Sequence, residues 1–508
     1  MNAAALIERF RTADLNPVVV KELRQSVRNW LVIGMLMVML LILFVTMCVN
    51  VLSVSLGTNN SPELGRTIFM IFFSILSFGT ALTIPTYVGT RLARENEDSN
   101  VDLMFITTLS PARIIRGKIL CGVILTGLCF SVFMPFMAFT YLLRGIDLPT
   151  MFVALVMSFV FITALIHISI LLACLPVSRN FKVGIGVGLF FFTTSWVGGV
   201  TIAGTFFFST GVGSTLGSWN FWGPALTFLT YAAIVMRISY VLAVALVSPP
   251  SANRALPVRA NLTACLLVGI GLPLVWDLYG SARDATVGAA IVGLVFVAFC
   301  LVVSVSSSDH LSNRVCRTIP KSPLGRAVAF VFYSGAAGGV VWTLLLALIV
   351  GCVGVYAFDS RIGRMTPSPR IGSDLIGFCS IALYIFDYGL TGLFLHRRFF
   401  PKRSGRLAGI FAVALPILLS IVPTLGLFFL NRFNTTSLEG FMPGNVFNVF
   451  SSGTTNHAFN HLVSAAFWFL VALVMNAPWF NRQFAAFTRP APDAAPPANG
   501  PTIPPVLA

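Results

Sequence analysis

The sequence predicts an all-α fold, a polytopic bundle of about 12 transmembrane helices with both termini in the cytoplasm. Three observations predict it. Hydrophobic residues fill 56% of 508 positions and charged residues only 10%, where a soluble domain carries about 25% charged residues. Uncharged apolar runs recur from Trp30 to near Trp479, each long enough to cross a hydrocarbon core about 30 Å thick as a helix. The cations collect in the short loops between these runs, as the positive-inside bias requires.

The N-terminal segment, residues 1–29, reads as a cytoplasmic amphipathic helix. Asn16 is a candidate N-cap and Pro17 the first helical residue. Val20, Leu23, Val27 and Trp30 then share one face, with Lys21, Arg24 and Arg28 on another. Such a helix lies in the headgroup region, its tryptophan at the interface. No cleavage pattern of a secretory leader follows, so the first span is expected to remain as an anchor.

The expected spans are 30–56, 67–90, 119–143, 149–175, 183–208, 222–247, 261–279, 285–305, 327–357, 373–395, 408–430 and 458–478. A boundary falls near Pro249-Pro250, giving six spans in 30–247 and a second block of six in 248–478. Ser322-Pro323 before the ninth span faintly echoes Ser110-Pro111 before the third. Residues 431–456 form the longest external loop and are expected to cap the outer mouth. The segment 479–508 reads as a disordered Pro/Ala-rich cytoplasmic tail.

The loop 91–118 is the most mixed stretch of the chain. Acids lead into Ser99 or Asn100 as a cap, and Val101, Met104 and Phe105 share a face. Ser110-Pro111 starts the next helix, whose Arg113, Arg116 and Lys118 suit the headgroups. An apolar stripe at Met104 and Phe105 is either a docking surface for a soluble partner or packing against the bilayer and neighbouring loops.

Several chemistries lack their signatures. The net charge of +16 is explained by loop cations, so no nucleic-acid partner is expected. The nine cysteines are scattered singly with no CxxC pair, which signals neither zinc nor a disulfide framework. His457 and His461 share a helix face, but no third metal ligand is close in sequence, so no metal site is expected. No hydrolase ordering of serine, histidine and aspartate marks a catalytic residue. Gly117-Lys118 lacks the upstream glycine and following Ser/Thr of a phosphate loop. Intramembrane charges are costly in lipid and therefore candidates for a transport path; Arg237, Asp277 and Asp387 are the three here. His167, alone in the fourth span, is expected to hydrogen-bond to a neighbouring helix.

The stretch TRLARENEDSNVDLMFITTLSPARIIRGKIL resembles the cytoplasmic loop of ABC-2-type ABC transporter permeases, and NPVVVKELRQSVRNW resembles the segment before their first span. Glu95, Glu97, Asp98, Leu103, Thr107, Leu109, Ser110, Pro111, Arg113, Ile114, Ile115, Gly117 and Lys118 occupy the matching places. Thr108 and Asn100 depart from the pattern, and a minimal permease lacks the second block of spans. The resemblance implies a multi-pass permease subunit in the cell (inner or plasma) membrane, in contact with membrane lipid, and an exporter that is not itself an enzyme. Glu97, Asp98, Asp102, Leu103, Met104, Phe105, Thr107, Leu109 and Ser110 would dock on a separate ATP-binding subunit, which holds the ATP and Mg. A homodimer or a second permease subunit would complete the assembly. The rival expectation is a secondary transporter driven by an ion gradient through Asp277 and Asp387.

Overall fold

A computed structural model describes residues 17–55, 64–97, 110–143, 146–176, 182–188, 190–195, 213, 216–249, 252–280, 283–307, 309, 311–362, 369–430, 442–449 and 455–488. No strand occurs among them. Eleven helices among the described residues are long and apolar enough to cross a membrane, and the chain is a multi-pass helical membrane protein. The fifth expected span, 183–208, lies partly outside the described residues; its first part is a shorter apolar helix, Lys182–Ser195. The chain divides into two units, Met1–Ser248 and Pro249–Ala508.

In the first unit, α1 (Pro17–Val27) is followed by α2 (Trp30–Ser55), α3 (Leu64–Glu97), α4 (Pro111–Leu142), α5 (Leu148–Cys174) and α6 (Trp219–Val247). The break between α1 and α2 is short, because the Asn29 carbonyl already accepts from Val32 and Ile33. α3 packs on α4 and α5, and α5 on α6. One end of the core is aromatic, with Phe69, Phe72 and Phe133 fully buried; the other is aliphatic, around Ile115, Ile162 and Ile166. α2 touches this core through Val32, Met39 and Leu43, while Met37, Leu41 and Phe44 stay exposed. Exposed apolar side chains on a span are what lipid covers.

The second unit holds α7 (Ala255–Gly280), α8 (Arg283–Val305), the single turn α9 (Asn313–Cys316), α10 (Pro323–Phe332), α11 (Ala336–Ile362), α12 (Pro369–Phe399), α13 (Arg406–Leu430) and α14 (Thr455–Ala486). α12 is the centre, packed on α13 and α14, and α8 pairs with α11. Prolines inside α3, α4, α7, α13 and α14 are tolerated, because neighbouring helices and hydroxyls re-satisfy the freed backbone groups.

Two expectations are corrected here. The ninth span does not start at residue 327: Ser322 caps α10 through a bond from the Gly325 amide at 3.2 Å, and the chain breaks before α11. The segment from 479 is not all tail, because α14 runs on to Ala486. Phe480, Phe484 and Phe487 stack edge-on around Phe330 of α10, which gives that last stretch something to bury. Residues 489–508 lie outside the described residues.

α5 starts on a strong cap. Asp147 accepts from the Thr150 hydroxyl at 2.6 Å, the Thr150 amide at 3.2 Å and the Gly213 amide at 3.1 Å. Burial alone would raise its carboxyl pKa, but the bonds from Thr150 and from the Asp147 and Gly213 backbones outweigh it and hold it below the ordinary value. Asp147→Ala is expected to cost about 1 kcal/mol. The depressed pKa makes this contribution complete above about pH 4 and lost as pH falls through the folded-state value. Unfolding curves of the two proteins should therefore converge in acid; a gap that widens there would refute the assignment.

Candidate functional site

Four charges meet where α1, α3 and α4 come together. Glu22 of α1 is 5% exposed and Lys118 of α4 is 3% exposed. Lys118 Nζ lies 3.0 Å from Glu22 Oε1 and 2.7 Å from Glu95 Oε2. Arg91 Nε lies 3.2 Å from Glu22 Oε2 and 3.9 Å from Glu95 Oε1. Arg91 Nη1 also donates to the Tyr87 hydroxyl at 2.9 Å, and that hydroxyl donates to Ser26 Oγ at 3.3 Å. Two acids and two bases make the quartet neutral, which is the condition under which charges tolerate burial.

Local sequence explains how each member arrives. Val19, Glu22 and Ser26 fall at helical spacing and form the buried face of α1. Tyr87, Arg91 and Glu95 follow one another at i+4 on the last turns of α3. Lys118 sits two turns into α4, beyond the Ser110-Pro111 start. Ser110 has the extended backbone of a cap, φ −69° and ψ 145°, but its hydroxyl makes no capping bond.

Several expected roles shift. Lys118, expected as a headgroup anchor, is buried between two carboxylate partners. Of the expected apolar face, Val20, Val27 and Trp30 are 41, 54 and 83% exposed, while Leu23 is half-buried against the core. Lys21, Arg24, Arg28 and Arg113 are exposed. Arg116 is exposed too, with its Nε donating to the Tyr240 hydroxyl at 2.8 Å. Arg237 approaches the same ring from α6, its guanidinium 5.9 Å from the centroid. Of the docking residues, Asp98, Asp102, Leu103, Met104, Phe105, Thr107 and Leu109 lie outside the described residues, and Glu97 closes α3.

The second unit carries a different cluster. Asp387 of α12 is fully buried, and neither carboxylate oxygen has a hydrogen-bond partner among the described residues. One turn earlier, the Tyr384 hydroxyl meets His461 Nδ1 at 3.1 Å and accepts from the Gly444 amide at 3.3 Å. Tyr388 donates to the Gly444 carbonyl at 2.8 Å. His461 Nε2 contacts Asn448 Oδ1 at 3.1 Å and His457 Nε2 contacts the Asn448 carbonyl at 2.8 Å. Both histidines are thus engaged in holding the segment 442–449 over α12 and α14, and no metal cluster occurs among the described residues. Gly444 turns there with φ +79°, a conformation glycine adopts without strain. Among the described residues His167 bonds within its own helix, to the Thr163 carbonyl at 2.8 Å. Asp277, on α7, is half-buried.

Charge signs in the sequence pointed to Lys118 and Glu95 singly. Pairing them needed the third dimension, since Glu22 and Lys118 are 96 residues apart. No protein-family model, curated protein or solved structure matches the chain.

Proposed function

We propose that the chain is the membrane-spanning permease subunit of an ATP-driven exporter of the ABC-2 type, not itself catalytic, working with a separate ATP-binding subunit that carries ATP and Mg. The observation that supports this reading is the position of the charge quartet. Arg91 and Glu95 immediately precede the segment 98–109 and Lys118 closely follows it, while Glu22 belongs to α1. A force applied to that segment by a docked motor reaches α1, α3 and α4 together, because short ion pairs in a partly buried site resist separation.

The test is recovery of ATP hydrolysis with the full chain purified from its native membrane. Met104→Asp combined with Phe105→Ala is expected to lower co-purifying hydrolysis about tenfold or more, as loss of a docking hot spot does. Undiminished recovery of hydrolysis would refute the proposal.

A second reading rests on Asp387, whose buried carboxyl, without a partner among the described residues, is what a gradient-driven transporter would use to carry a cation. Vesicles holding a pH-sensitive dye separate the two. Under the ABC-2 reading, an imposed gradient drives no ATP-independent proton flux; a flux abolished by Asp387→Asn would replace that reading with the second.

A further inference from the structure

A groove of about 260 Å³ opens between α1, α2, α3 and α4, walled by Val27, Ile33, Leu36, Ile84, Tyr87 and Leu125 among others. Its few polar groups are already committed. The Thr83 hydroxyl is turned to the Gly79 carbonyl and the Met35 sulfur. The Tyr87 hydroxyl is held by Arg91 and Ser26. A polar ligand would find no donor or acceptor to replace its lost water, whereas an alkyl chain needs none.

Around Val27, the wall residue that α1 contributes, the surface has the opposite character. Arg24 and Arg28 are exposed, one helical turn apart, and flank Val27 of the groove wall. Neither pairs with an acid among the described residues. Trp30 stands 83% exposed at the corner between α1 and α2, where an amphipathic ring marks the headgroup level.

We infer that this groove binds one acyl chain of an anionic glycerophospholipid from the leaflet that carries α1, with Arg24 and Arg28 holding the phosphate. The apolar walls select the tail, and the two guanidinium groups select the negative headgroup over a zwitterionic one. Tyr87 lies on the wall and in the hydrogen-bond chain to the quartet, so the bound tail braces α1 against α3 beside Glu22 and Arg91. The inference is independent of what drives transport.

Native mass spectrometry of the purified full chain in neutral detergent tests it, with phosphatidylglycerol, phosphatidylcholine of the same chains and glycerol 3-phosphate as probes. Phosphatidylglycerol is expected to be retained over phosphatidylcholine by about fivefold per arginine, and glycerol 3-phosphate not at all. The exposed substitutions R24Q and R28Q together should erase the headgroup preference while leaving the fold intact. Leu36→Trp, which fills the groove, should lower retention of both lipids. Equal retention of the two lipids by the wild type, a preference that survives R24Q/R28Q, or glycerol 3-phosphate binding as well as phosphatidylglycerol would each overturn the site.

Discussion

Glu22→Ala is expected to destabilise the first unit by about 3 kcal/mol. Removing this carboxylate leaves Lys118 and Arg91 facing Glu95 alone, so a net positive charge stays in a site where Lys118 has 4% side-chain exposure. Breaking a buried pair from one side costs about 3–5 kcal/mol, most of it the penalty on the stranded charge. The low end applies because the side chains of Arg91 and Glu95 keep 24% and 26% exposure and can draw on water. Replacing both Glu22 and Lys118 by methionine should recover most of the loss, since the remaining Arg91–Glu95 pair is neutral and the replacements are apolar. Unfolding of the wild type and the two variants in a mild detergent reads this directly. A Glu22→Ala protein within about 0.5 kcal/mol of wild type, the range of ordinary surface changes, would mean that the quartet does not clamp α1.

The helices were legible because a span needs only a long apolar run, and composition displays such runs without reference to neighbours. Loop charge was legible for the same reason. What each cation does was not. Lys118 lies in a cluster with Arg113 and Arg116 and resembles them on paper, yet it is buried while they are exposed. The difference is made by Glu22 and Glu95, which only packing of α1 and α3 on α4 brings within reach. The resemblance to a permease family did mark Glu95 and Lys118, without saying that they touch.

Boundaries failed where a tertiary partner sets them. Ser322-Pro323 announced a helix start, but the break at Tyr333 to Gly335 has only Gly335 as a local signal, at φ +136°. The end of α14 was missed because its aromatic residues look like the edge of a tail until Phe330 of α10 is placed among them. Asp387 was visible as a charge inside an apolar run; its lack of a partner among the described residues was not.

Arg259→Met should be the most damaging single change in the second unit, costing about 3–5 kcal/mol. Arg259 is 4% exposed. Its Nη1 donates to the carbonyls of Val331 at 2.7 Å and Tyr333 at 2.6 Å, and its Nη2 to that of Gly335 at 2.8 Å. The Val331 and Tyr333 carbonyls lie where α10 ends, so one guanidinium from α7 caps that helix, and it adds a second donor to the Gly335 carbonyl, which already accepts from the Gly339 amide as α11 begins. Its plane lies 5.8 Å from the Trp342 ring, and Trp342 in turn donates to Thr263 of α7 at 2.9 Å. Close approach fixes the break further: a Cβ on Gly338 would fall 1.9 Å from the Phe330 carbonyl oxygen. Methionine fills the space but donates nothing, leaving the Val331 and Tyr333 carbonyls unmatched at about 1–3 kcal/mol each before relaxation. Lysine keeps the charge yet cannot fork to three acceptors, so Arg259→Lys should fall between. If lysine restored full stability, the site would need only a positive charge and the capping argument would fail. If methionine did so, the α10–α11 break would be held by Gly338 and its neighbours alone.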